Sequence, residues 1–159
     1  QNNLKSQTFT YEAEEIKSIQ DDKTIVATGG VKINDNLGRT IEGNKLIVND
    51  NTKIHYLSGN VFFNDNFKNQ IKSKKLIINE NLNQYIFSED VTFENKDNML
   101  KAINDFIVYD KNKDIIYSDS KTIIDDNQGN IIENGSFKFL INEDKLIANN
   151  VLLTDKNKN

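Results

Sequence analysis

The 159-residue chain has no cysteine, no proline and no tryptophan, and only one histidine, one methionine and one arginine. Without cysteine there is neither a disulfide framework nor thiol chemistry, and the redox compartment cannot be read. His55 alone leaves little room for a histidine-rich metal site or a Ser/His/Asp triad. A net charge of −4 with Arg39 as the sole arginine speaks against nucleic-acid binding, which needs a basic stripe. No apolar run approaches the roughly 18 residues of a membrane-spanning helix. Glycine numbers only 7, so neither a collagen-like nor a glycine-rich linker sequence fits. The chain opens on Gln1-Asn2-Asn3 with no secretory-leader pattern. Removal of an upstream segment and a choice of boundaries explain that opening equally well.

What fills the gap is asparagine, 26 residues of it, and a repeat. Cutting at residues 11, 41, 71, 101 and 131 gives blocks that align without a gap through the fourth; the fifth slips by one near Ser136. The sixth column reads Ile16, Leu46, Leu76 and Phe106, with Phe137 after the slip. The seventeenth reads Ala27, Leu57, Phe87, Tyr117 and Ile147; the twenty-first Val31, Val61, Val91, Lys121 and Val151; the twenty-third Ile33, Phe63, Phe93, Ile123 and Leu153. The last two columns lie two apart, hence on one face of a strand. Turn formers separate the apolar segments, for example Asn49-Asp50-Asn51, Asn79-Glu80-Asn81 and Asn34-Asp35-Asn36. Asn and Asp tolerate left-handed backbone and bond their own main chain, so they serve where proline and glycine are scarce.

Each block therefore reads as two or three short strands rich in β-branched and aromatic residues. The stretch Tyr11–Gln20 has helical character alone, but its column makes it strand. The expectation is one all-β unit over residues 1–159, with frayed tails at Gln1–Ser6 and Lys156–Asn159. One block cannot bury its apolar face, so neighbours stack around a continuous core. Antiparallel folding, parallel coiling and a closed barrel all satisfy the pattern. The ends of such a stack are open sheet edges, templates for another β-protein. The interior stripe (Phe139 included) is either packed core or, if the halves splay, a trough for acyl chains. Column 17 faces inward only if no bulge at the Gly-Gly and Gly-Asn pairs turns column 16 inside instead.

The strings IVATGGVKI (Ile25–Ile33), YLSGNVFF (Tyr56–Phe63) and GRTIEGNKLIVNDNTK (Gly38–Lys53) resemble the OstA-type repeat of the lipopolysaccharide-transport family. Blocks three to five keep the spacing but replace the Gly-Asn by Glu89-Asp90, Asp119-Ser120 and Asn149-Asn150. The family includes periplasmic bridge proteins (LptA) and the N-terminal periplasmic domain of an outer-membrane translocon subunit (LptD), the type favoured here because the blocks run to the last residue. The resemblance implies an elongated antiparallel β-jellyroll, located in the periplasm, without catalytic activity, cofactor or metal. It implies that the four columns, Lys121 apart, and Phe139 line a groove for lipid A acyl chains. Implied partners are lipopolysaccharide, other OstA-like jellyrolls joined by edge strands, and an outer-membrane β-barrel in the translocon case, with no nucleic acid.

Other features read as structural. His55 has no partner in the pattern. The acidic pairs Asp21-Asp22 and Asp125-Asp126 fall in turns, as solvated side chains rather than calcium ligands. Lys68, Lys72, Lys74 and Lys75 form a solvated basic face, with contact to lipid phosphates as the alternative. The rival architecture is a parallel β-solenoid serving as scaffold or surface repeat without a lipid ligand; a carbohydrate-active β-helix enzyme ranks behind it. Strand direction separates solenoid from conduit.

Overall fold

The computed structural model describes residues 2–5, 9–19, 23–65, 68–97 and 100–155. Fifteen strands form one sheet: β1 (Asn2–Lys5), β2 (Phe9–Ala13), β3 (Glu15–Ile19), β4 (Thr24–Asp35), β5 (Thr40–Asn49), β6 (Ile54–Asn64), β7 (Asn69–Asn79), β8 (Gln84–Asn95), β9 (Leu100–Asp110), β10 (Ile115–Ser118), β11 (Thr122–Asp125), β12 (Asn130–Asn134), β13 (Ser136–Leu140), β14 (Lys145–Asn149) and β15 (Leu152–Asp155). Every described pairing is antiparallel, which excludes a parallel solenoid. Of the tails expected to fray, Asn2–Lys5 pairs with β2 instead, while Gln1, Ser6 and Lys156–Asn159, like the acidic pair Asp21-Asp22, lie outside the described residues.

Asparagine earns its abundance in the turns. Lys23, Lys53, Asn83, Asp114 and Asp144 are left-handed, with φ between 48° and 58°. The carbonyls of the first four accept from the next hairpin, through the N–H groups of Asp50, Glu80, Lys111 and Ile141, at 3.0–3.1 Å. Asn49 Oδ1 accepts from the N–H of Asn51 and Thr52, and Asp110 Oδ1 from those of Asn112 and Lys113. Side-chain amides then reach sideways: Asn81 to the Thr52 carbonyl at 2.8 Å, Asn83 to Asn112 at 2.7 Å, Asn142 to Asp114 at 3.2 Å. Short amide side chains thus close each turn and lace it to its neighbour.

The long strands fold in half along a line of irregularities. On β4, β6 and β8 two successive residues are left-handed: Gly29-Gly30, Gly59-Asn60 and Glu89-Asp90. Opposite them the register shifts on β5, β7 and β9. Two consecutive left-handed residues preserve the in–out alternation on the even strands, so Ala27, Leu57 and Phe87 face inward with Val31, Val61 and Val91. The alternation switches on the odd strands, between Gly43 and Leu46 and between Ser73 and Leu76. The two halves of the sheet turn their apolar faces toward each other, making an antiparallel β-jellyroll. One half runs β3-β4-β5-β6-β7-β8-β9-β10-β13-β14; the other runs β1-β2-β4-β5-β6-β7-β8-β9-β11-β12-β15.

The gapless alignment of four blocks does not hold. Paired inward residues flanking the β4–β5 and β6–β7 turns are Ile33 with Ile41 and Phe63 with Ile71, eight apart; across β8–β9 they are Phe93 and Ala102, nine apart. One extra residue in that turn flips every following side chain, because strand periodicity is two. Phe106 therefore points outward at 42% exposure while Ile107 is fully buried. Tyr117 and Ile123 likewise face out, and Ile116 and Ile124 take their places. Phe137 and Phe139 need no slip of their own: they follow Ile107 and Tyr109 by thirty residues.

Candidate functional site

The candidate site is the space between the two half-sheets. Ile16 (partly buried), Ala27, Leu46, Leu57, Leu76, Phe87 and Ile107 form one inward cross-strand row. Ile33, Ile41, Phe63, Ile71, Phe93, Ala102, Ile124, Ile132 and Leu153 form another, in the opposite half. Val31, Val61 and Val91 lie at the fold line, and Phe137 and Phe139 are buried toward the last strands. The rows meet through aromatic rings. Phe63 sits 5.6 Å from Tyr85 and from Phe87 and 5.2 Å from Tyr109, and Phe93 sits 5.3 Å from Phe139. Edge-on ring pairs at these distances are interlocked packing. Over the first three repeats this interior is a closed core.

A third inward row lies outside the four columns and contains only Phe139 of the expected lining: Ile25, Val48, His55, Ile78, Tyr85, Tyr109, Ile116, Phe139 and Leu146. It runs along the mouth, where the free rims of the halves meet, and its polar members tie the mouth shut. Buried His55 lies between the Tyr11 hydroxyl at 2.9 Å and Glu80 at 2.7 Å. Arg39 donates from Nε to the Asp35 carboxylate and from Nη1 to the Tyr109 hydroxyl at 3.4 Å; the Tyr85 hydroxyl donates to Asp35 at 3.0 Å. Lys68 and Asn95 reach Asp144 at 3.5 Å from across the mouth.

Burial pushes the Asp35 carboxyl up, but the Arg39 guanidinium and the N–H groups of Arg39 and Leu37 outweigh it and hold the group below the usual carboxylate range. Burial also opposes charge on Arg39, and Asp35 more than restores it. Burial raises the Tyr85 and Tyr109 hydroxyls. Lys111, whose Nζ lies 4.5 Å from the Tyr85 ring centre, is shifted down by burial and by the Arg39 charge. These groups are arranged as a clasp. Among the described residues no group of three or more His, Asp or Glu is placed to hold a metal ion.

Five candidate lining residues lie elsewhere, and a sixth, Leu153, is inward but exposed. Phe106, Tyr117, Ile123 and Ile147 (40% exposed) face outward, the first three through the one-residue insertion and Ile147 by pairing with Lys138 on the outer face. Val151 is exposed between strands. Leu153 faces inward by its pairing with Ile132, yet is 62% exposed because it stands on the terminal strand. Leu153 is thus the exposed member of an otherwise buried or half-buried row. The basic face is neutralised: Lys74 pairs with Asp90 at 2.8 Å, Lys75 with Glu89 at 3.0 Å and Lys68 with Asp97 at 2.5 Å. Lys72 lies over the Phe62 ring.

The fold and its interior define a folded antiparallel sheet of repeated hairpins with an apolar inside. No family model and no curated protein matches the chain. Among solved structures it is similar to LptH of Pseudomonas aeruginosa, the LptA-homologous periplasmic component of the lipopolysaccharide transport device. That similarity covers 93% of this chain and 94% of LptH at 13% identity, with a TM-score of 0.35.

Proposed function

We propose that the chain is a non-enzymatic periplasmic component of lipopolysaccharide transport, shielding acyl chains between its half-sheets. The observation that carries this reading is the phased recurrence of OstA-type strings on a folded sheet with two apolar inward rows, Ile16 to Ile107 and Ile33 to Leu153. An acyl chain in water costs about 0.8 kcal/mol per CH₂, and a continuous apolar interior removes that cost along its length. The closed core is the unloaded state. A chain enters beside the exposed inward Leu153 and its partner Ile132, and advances as the mouth ties part. Edge strands support docking of like domains: β1 and β3 at one end, β14 and β15 at the other, each pair with a single strand apiece among the described residues. An LptA-like bridge and the periplasmic domain of an LptD-like translocon, docked to an outer-membrane β-barrel, both fit this description.

Gel filtration with intact and de-acylated lipopolysaccharide tests the reading. Intact lipid should co-elute with the protein and de-acylated polysaccharide should not. Equal behaviour of the two, or no co-elution of either, overturns it. One observation favours a second reading, the interlocked rings of the interior: an end-to-end scaffold with a permanently shut core, which predicts polymers and no lipid.

A further inference from the structure

A row of inward residues at the fold line changes character along the stack. Gly43, Ser73, Asn104 and Asn134 occupy the same place on β5, β7, β9 and β12, opposite Val31, Val61, Val91 and Thr122. Asn104 is satisfied: its Nδ2 donates to Ser118 Oγ at 2.7 Å, and its Oδ1 accepts from the Phe106 N–H at 3.0 Å and from Ser120 Oγ at 3.2 Å. Nδ2 of Asn104 also donates to Thr122 Oγ1. Asn134 is only 2% exposed, and neither its Nδ2 nor its Oδ1 has a hydrogen-bond partner among the described residues. The reason is visible in the sequence. Thirty residues after Ser118, Ser120 and Thr122 stand Ala148, Asn150 and Leu152, so the last repeat keeps the asparagine and loses those three hydroxyls. A buried amide with neither bond made is costly, and an apolar residue of the same size would avoid that cost. Asn134 lies on the strand next to the terminal one, beside the uncovered inward Leu153.

We propose that Asn134 is a polar station for a hydroxyl group carried on an acyl chain entering at the C-terminal end. A hydroxyl both donates and accepts, so one group answers Oδ1 and Nδ2 together. The station selects hydroxylated acyl chains over plain ones. It rests on the acyl-carrier reading above and adds a substrate preference to it.

The test is displacement of dansyl-undecanoate by dodecanoate and by 3-hydroxydodecanoate, with thermal melts alongside. Wild type should bind the hydroxylated chain about tenfold more tightly, the value of one good hydrogen bond. Asn134→Leu should abolish that preference, keep its affinity for dodecanoate and melt at a higher temperature. Equal binding of the two chains by wild type, a preference that survives Asn134→Leu, or a lower melting temperature in the variant each overturns the station and leaves acyl binding standing. Failure of both fatty acids to displace the probe overturns the carrier reading and the station together.

Discussion

Replacing Arg39 by Met removes one partner of the clasp and leaves the other in place. The Asp35 side chain is 2% exposed and that of Arg39 9%, so solvent screens the pair very little. Breaking a buried pair from one side typically costs about 3–5 kcal/mol, since an uncompensated charge remains. Asp35 would keep the N–H groups of Leu37 and residue 39 and the Tyr85 hydroxyl, which places the loss at the lower end, about 3 kcal/mol at pH 7. For a chain of this length that is a fall in Tm of roughly 6–12 °C. In wild type the folded-state pKa of Asp35 is depressed, so its contribution is present above the unfolded value near ~3.9 and is lost as pH falls through the folded one. In Arg39→Met the guanidinium that helps hold the carboxyl down is gone, so the carboxyl takes up a proton more readily than in wild type. The deficit should therefore shrink on acidification from pH 7 to 4.5. Urea melts followed by far-UV circular dichroism measure this, and Asp35→Leu/Arg39→Met, with no stranded charge, should recover most of the loss. A deficit below about 1 kcal/mol at pH 7, or one that grows on acidification, refutes the clasp.

The register change at β9 gives a paired prediction: Ile107→Ala should cost about 2–5 kcal/mol and Phe106→Ala under about 1 kcal/mol in urea melts, the reverse of what a gapless repeat implies. Gly43→Ala would bring a new Cβ to 2.6 Å from the Leu57 side chain. It should cost about 1–3 kcal/mol, and combining it with Leu57→Ala should cost less than the sum of the two, as thermal melts would report.

Much of the fold is legible in the sequence because the repeat is strict where the physics is. Columns 17, 21 and 23 of the first three blocks sit at alternate inward positions, and two left-handed residues at Gly29-Gly30 and its equivalents preserve that alternation. The insertion in the β8–β9 turn was illegible for a local reason. Block four has apolar neighbours side by side (Phe106-Ile107, Ile115-Ile116, Ile123-Ile124), so either parity looks acceptable on paper. Only the pairing of Phe93 with Ala102 settles it. The mouth row was missed because His55, Tyr85 and Tyr109 do not share a residue type; their bonds to Tyr11, Asp35 and Arg39 span 44, 50 and 70 residues, beyond the reach of any motif. Asn134 was hidden among 26 asparagines, and one signal could have exposed it: a register in which Ser118 and Thr122 are replaced by Ala148 and Leu152.

Photo-crosslinking tests the central claim most directly, that fatty chains occupy the space between the half-sheets. Benzophenone side chains at Ile132 and Leu153 face inward at the C-terminal end, and the same groups at Phe106 and Ile123 face outward. With acylated lipopolysaccharide, adducts should form at the inward pair and not at the outward one. Adducts at Phe106 and Ile123 with none at Ile132 and Leu153, or none at any of the four, would contradict the account.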